Sequence, residues 1–151
     1  MDHLLLQDLA VHEGSTANLI QIDAGTLRRD GFDGHPLFHC YVAEDQSADG
    51  KLIGYTLHVL NYSPIDGVSV FIEDMFVTSW YRKHGVGSRL FQEVAREANT
   101  RGCKRIHWLC SSWNKGAIHF YESKGAFNCT QTRGTNHFRL SDDKLKSFAS
   151  E

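Results

Sequence analysis

The chain has 151 residues, enough for a single domain over 1–151 with a core of its own, and its 41% hydrophobic and 23% charged residues are ordinary globular proportions. A net charge of −2 leaves no electrostatic case for a nucleic-acid or membrane partner. Cys40, Cys103, Cys110 and Cys129 form no CxxC pair, so they read as reduced thiols of an intracellular, cytoplasmic protein.

The chain opens with acids where a leader would be basic, and its first apolar cluster is too short for a span. Leu4, Leu5, Leu9 and Val11 recur near helical spacing and predict a first helix, closed at Gly14-Ser15. A second short helix follows, capped by Asp23, with Gly31 beyond its end. Phe38–Glu44 predicts a strand, Gln46–Gly50 a turn, and Leu52–Asn61 the returning strand of a hairpin. A turn around Pro64 and Gly67 leads to a third strand, Ser69–Thr78. Gly87–Thr100 predicts a helix with Leu90, Phe91, Val94, Ala95 and Ala98 on one side. Arg105–Cys110 is apolar enough for a central strand. Asn114 caps a helix that reaches Lys124 and stops at Gly125. Strands near Asn128–Thr132 and His137–Leu140 and a helix from Asp142 complete the chain. Antiparallel strands first and β-α-β-α afterwards make this a mixed α/β (α+β) fold, one mostly antiparallel sheet flanked by helices.

The stretch Ser69–Leu90 is the most informative: a strand bearing Glu73 and Asp74, then Arg82-Lys83-His84-Gly85-Val86-Gly87 at the mouth of a helix. Glycines there let the backbone approach an anion, toward which the unpaired N–H groups of the first turn point. It is not a P-loop, since no Lys-Ser or Lys-Thr follows, nor a dinucleotide fingerprint, since Leu90 stands where the third glycine belongs. His35 and His39 are four apart, but Pro36 and the following strand spoil a helical metal pair, so no metal is expected.

Arg-x-x-Gly-x-Gly after a strand resembles the acyl-coenzyme A pyrophosphate loop of the GNAT superfamily of N-acetyltransferases. Asp8–Glu13, Asp30–Glu44, Phe71–Leu90 and Trp113–Ala126 widen the likeness to its spermidine/spermine (diamine) acetyltransferase branch, in the same order and with similar spacings. The resemblance implies the GNAT fold, acetyl-CoA as co-substrate, a small amine substrate and a homodimer. Glu73 would accept the amine proton, through water, and Tyr121 would protonate the departing thiolate. An amine with pKa near 10.4 is only ~0.04% neutral at pH 7, so proton removal is part of the work. Glu73 and Asp74 face opposite sides of a regular strand, so both can serve the amine only across a bulge. Read without the resemblance, Tyr121 is a core aromatic at helical spacing.

By the same likeness Met75, Phe76 and Val77 would present backbone to the pantetheine arm, and Lys83, His84, Gly85, Val86, Gly87 and Ser88 would hold the pyrophosphate. Asn114, Lys115, Gly116 and Ala117 would flank the arm. His12, Glu13, Asp74, His107, Trp108 and Leu109 would meet the substrate. Polyamine enzymes carry an Asp and a Trp where this chain has Ser63 and Ile65, and a Glu where it has Arg133. Losing two acids and gaining a guanidinium argues against a long polycation and for a shorter diamine or a lysine-like amino acid such as thialysine, whose carboxylate Arg133 would pair. Family members begin with a strand before the first helix; that strand is expected to be missing here. Two alternatives stay open: a non-catalytic acyl-CoA-binding module, and an acetyltransferase of proteins or peptides.

Overall fold

In a computed structural model of the chain, residues 22–134, 138–140 and 142–149 are described, apart from the side chains of Arg133, Asp142 and Asp143. The first predicted helix, with His12 and Glu13, lies outside the described residues. The chain divides into two compact units, Met1–Leu109 and Cys110–Glu151.

In the first unit, α1 (Ala24–Phe32) starts at Asp23, whose carboxylate accepts from the Thr26 N–H at 2.7 Å. Gly31 does not lie beyond its end but within its last turn, where a Cβ would fall 2.4 Å from the ring of Phe38. A close approach, not a left-handed cap, is the reason for glycine there. Strands β1 (His39–Asp45), β2 (Lys51–Ser63) and β3 (Gly67–Val77) form an antiparallel meander, and α2 (Val86–Thr100) crosses over to β4 (Ile106–Trp108), which pairs parallel with β3. The sheet order is β1-β2-β3-β4. The Arg105–Cys110 segment, expected to be central, is therefore an edge among the described residues. Ile106 and Trp108 are apolar because they face α2, not because strands flank both sides.

Two apolar groups sandwich the sheet. Val70 and Ile72 of β3 pack on Val94 and Ala98 of α2, with Phe91, Ile106 and Trp108 around them. On the other face Leu27 of α1 meets Tyr55 and Phe76. Gly54 of β2 sits where the sheet is tightest: a Cβ there would lie 2.8 Å from the Phe76 carbonyl oxygen and 3.3 Å from Leu90. Backbone cannot swing aside, so Gly54→Ala should cost about 1–3 kcal/mol in urea unfolding; an unchanged midpoint would mean that the strands part freely.

In the second unit, α3 (Lys115–Glu122) starts at Asn114, and Gly125 (φ 86) follows its end, as expected. The predicted strand at Asn128–Thr132 is instead α4 (Cys129–Arg133). Asn128 caps it, accepting from the N–H groups of Thr130 and Gln131, so a side chain that competes with strand pairing sets the local structure. The strand expected at His137–Leu140 is likewise not found: Phe138–Leu140 have no strand pairing, and His137 lies outside the described residues. Helix α5 (Asp142–Ala149) ends the described chain, and no helix is long and apolar enough to cross a membrane among the described residues.

Candidate active site

The pairing of β2 with β3 slips once. Leu57 stands opposite Asp74 and His58 opposite Ile72, so Glu73 is an extra residue on β3. This bulge inverts the parity of the strand. Before it, even-numbered Val70 and Ile72 face α2; after it, odd-numbered Met75 joins them while Phe76 faces the other way. Glu73, two residues from Phe71, and Asp74, two from Phe76, therefore share the face turned away from α2. Glu73 is exposed and Asp74 half-buried. The pattern of apolar residues on both sides of this strand was the signal; the slip itself left no mark in composition.

The pairing of β3 with β4 covers Val70–Ile72 and goes no further. From Glu73 to Val77 the edge of β3 turned away from β2 has no strand partner among the described residues. On that edge the outward peptide groups are those of Met75 and the N–H of Val77, since the Phe76 carbonyl lies against Gly54 of β2 and the Val77 carbonyl accepts from Arg82; they can meet an extended amide chain in the manner of an added strand.

Beyond Val77 the turn Ser79–Tyr81 is tied to the first hairpin by the Tyr81 hydroxyl, which donates to Asp45 Oδ2 at 2.8 Å. That hydrogen bond, second to the Ser47 hydroxyl, holds the Asp45 carboxyl below the usual carboxylate range. Arg82 turns inward: its Nε donates to the Val77 carbonyl at 2.8 Å and its guanidinium lies over the Phe76 ring. The arginine of the loop motif is thus a brace between strand end and loop, a role the spacing alone does not reveal. The nitrogen-bearing side chains left exposed on the loop are Lys83 and His84, and the His84 Nδ1–H donates to the Arg82 carbonyl at 2.8 Å. Gly85, the N-cap of α2, has φ 83 with open space around its Cα, a conformation that favours glycine. Lys83 adopts φ 64, which costs a side chain about 1–2 kcal/mol. Val86, Gly87 and Ser88 make the first turn, where N–H groups lack helical partners. These residues fit a pyrophosphate: glycine at the close approach, free amides, a dipole and two exposed side-chain nitrogens.

His107 stands in register with Phe71, on the face that carries Glu73. Trp108 points the other way, its ring 5.4 Å from Phe91 of α2, so the fold does not bring it to that face. Leu109 is exposed at the end of the first unit. Ser63 and Ile65 lie at the β2–β3 turn, where the Ile65 N–H donates to Ser63 Oγ and Ile65 is 88% exposed.

In the second unit Asn114 accepts from the Ala117 N–H at 3.1 Å, fixing the first turn of α3 with Lys115 and Gly116 exposed. Tyr121 is half-buried one turn later, its ring edge-on to Phe120 at 5.2 Å. Arg133 ends α4.

Comparison with known proteins agrees with this fold. Residues 6–126 match the profile described as the acetyltransferase (GNAT) family. The thialysine N-epsilon-acetyltransferase of Bos taurus is 33% identical over 150 residues, 96% of this chain and 88% of that protein. The spermidine/spermine N(1)-acetyltransferase-like protein 1 of Homo sapiens is 32% identical over 97% of this chain and 22% of its own length. Among solved structures, an integron cassette protein from the mobile metagenome of V. cholerae superposes with a TM-score of 0.76 at 22% identity, covering 98% of this chain and 88% of that one.

Proposed function

The chain belongs to the GNAT family of acetyltransferases, and we propose that it is an acetyl-CoA-dependent N-acetyltransferase of a primary amine on a small diamine or lysine-like amino acid. The observation that carries this reading is the bulge at Glu73, which sets two acids side by side where β3 loses its outer partner. Relatives named for thialysine and spermidine/spermine support an amine of that size. The match over residues 6–126 spans the boundary at Leu109, which supports a single catalytic domain over 1–151.

Acetyl-CoA supplies the activated acyl group. Lys83, His84 and the amides of Val86–Ser88 would hold its pyrophosphate, and Met75–Val77 its pantetheine arm, with Asn114–Ala117 alongside. An N–H of the Met75–Val77 segment would polarise the thioester carbonyl. Glu73 and Asp74 attract the substrate ammonium, and Glu73 takes its proton through a water molecule, freeing the lone pair for direct attack. Tyr121 returns a proton to the leaving thiolate. Arg133 would pair the carboxylate of an amino-acid substrate. The reading extends to a homodimer in the cytoplasm, and sedimentation of the purified chain tests the dimer.

The test is coenzyme A release from acetyl-CoA with spermidine, spermine, putrescine, lysine and thialysine. Amine-dependent release is expected. Glu73→Gln should lower it by about 10²-fold or more at pH 7 and by less at pH 10, where roughly 30% of an amine with pKa near 10.4 is already neutral. Measurable acetyl-CoA binding without release for any amine would replace this reading with a non-catalytic binding module.

A further inference from the structure

The tip of the β1–β2 hairpin lies beside the anion loop because β2 begins where β3 ends. Gly54 pairs with Val77, and the Thr78 N–H donates to the Ile53 carbonyl at 2.9 Å. At that tip Asp45 closes β1 opposite Lys51. Both of its carboxylate oxygens are committed. Oδ1 accepts from the Ser47 N–H at 2.9 Å and from the Ser47 hydroxyl at 2.6 Å, which caps the turn Gln46–Ala48. With one oxygen fixed in this way, Oδ2 is held toward Tyr81 and accepts from its hydroxyl at 2.8 Å. A hydroxyl donating to a carboxylate makes a charge-assisted bond, roughly twice as strong as a neutral one.

The other hydrogen bonds at the start of the loop are local. The Tyr81 N–H donates to the Thr78 carbonyl at 2.9 Å and the Arg82 N–H to the Ser79 carbonyl at 3.2 Å. Arg82 Nε reaches Val77, five residues back, and His84 reaches Arg82. These bonds shape the loop and tie it to its own strand. The Tyr81 hydroxyl instead spans 36 residues of chain and ties the loop to a second element. Tyr81 immediately precedes Arg82, so the tie fixes the loop where it begins. The conformation that follows is an unfavourable one to hold, with Lys83 at φ 64 and Gly85 at φ 83. A loop ordered before its ligand arrives loses less freedom on binding and binds more tightly.

We propose that Asp45, acting through the Tyr81 hydroxyl, holds Arg82–Ser88 ready for the pyrophosphate of acetyl-CoA, so that the first hairpin sets affinity for the nucleotide end of the cofactor and leaves the acetyl chemistry unchanged. This rests on the acetyl-CoA reading above. Asp45 and Tyr81 are positioning residues, and the groups that meet the anion belong to the loop.

Two measurements separate anion affinity from chemistry. One is the Kd of coenzyme A by calorimetry. The other is kcat/KM for acetyl-CoA beside that for S-acetylpantetheine, which has the same thioester and arm but no pyrophosphate, both at saturating amine. Tyr81→Phe, which leaves the hairpin cap intact, should weaken coenzyme A binding about 10-fold, the scale of one hydrogen bond to a charged group, and lower kcat/KM for acetyl-CoA alike. The kcat at saturating acetyl-CoA and the kcat/KM for S-acetylpantetheine should stay within about 2-fold. Asp45→Ala should do the same. The double variant should be no worse than Asp45→Ala, because both side chains act through one bond. Equal losses for the two thioesters, additive losses in the double variant, or unchanged coenzyme A affinity in Tyr81→Phe would overturn the proposal. Turnover of S-acetylpantetheine reports that each variant is folded. Coenzyme A binding without turnover of any amine would strike the acetylation reading and leave this one to be decided by the Kd values. A wild type that binds no coenzyme A would strike both.

Discussion

Glu97→Ala should remove about 3–5 kcal/mol of stability at pH 7, the loss typical of breaking a largely buried charged network by deleting one partner. Glu97 lies on α2, its side chain only 12% exposed, and it is where helix and sheet are tied by polar bonds. Its Oε2 accepts from the Tyr41 hydroxyl and from His58 Nε2, both at 2.9 Å. Its Oε1 accepts from Arg101 Nε at 2.8 Å, with His39 Nδ1 at 3.6 Å. Rings stack behind this centre, His39 on His58 and Tyr41 on His58. Alanine would leave the buried His58 and the half-buried Tyr41 without this acceptor.

The same centre predicts an acid limb. Burial by itself would raise the Glu97 pKa, but the hydrogen bonds from His58, Tyr41 and Arg101 outweigh it and hold the carboxyl at about 2 against an ordinary 4.5. A depressed value means that this stability is complete above pH 4.5 and is lost as pH falls toward 2. The interval corresponds to about 3 kcal/mol at 1.36 kcal/mol per unit. Burial also lowers the His58 pKa below 6.5, against the opposing pull of Glu97. The unfolded chain therefore binds a proton below pH 6.5 that the folded one resists, and stability should begin to fall there. Urea unfolding from pH 8 to 3 should show a shallow loss below 6.5 and a steeper one below 4.5, the second absent in Glu97→Ala. A flat wild-type profile would mean that the network contributes nothing net.

Much of this fold is legible in the sequence where a segment is long and strongly patterned. The apolar stripe of α2, the β1–β2 hairpin and the Asp23 and Asn114 caps all announce themselves by period or by residue type. The fold departs from the pattern where a single side chain competes with it. Asn128 turns a strand-like stretch into α4 by capping it. Gly31 reads as a helix stop but is a contact with Phe38. At the site, the loop motif and the acid pair are visible in the chain, and the need for a bulge follows from strand parity. That Glu73 itself is the extra residue depends on the register with β2, a long-range matter. Arg82 opens the loop motif and is a brace, because only the folded strand end offers it the Val77 carbonyl.

Tyr121→Phe should lower kcat by about 10²–10⁴-fold with little change in the KM of the amine, the range for removing a general acid. Phenylalanine keeps the ring and its edge contact with Phe120, and the Tyr121 backbone carbonyl still accepts from the Lys124 and Ala126 N–H groups. Helix α3 is fixed at its start by Asn114, not by the phenol. Ala117 and Tyr121 are one turn apart and share a side of the helix, so a cofactor arm flanked at Ala117 would run along the side that bears the hydroxyl. The loss should therefore fall on the chemical step, with acetyl-CoA binding retained as the sign that the fold is kept. A phenol acting as the acid also leaves a mark on pH: wild-type kcat should decline at alkaline pH as the hydroxyl ionises, and the variant should lack that limb. A fall of less than about 3-fold, with the alkaline limb retained, would mean that the thiolate takes its proton from water and that Tyr121 only packs.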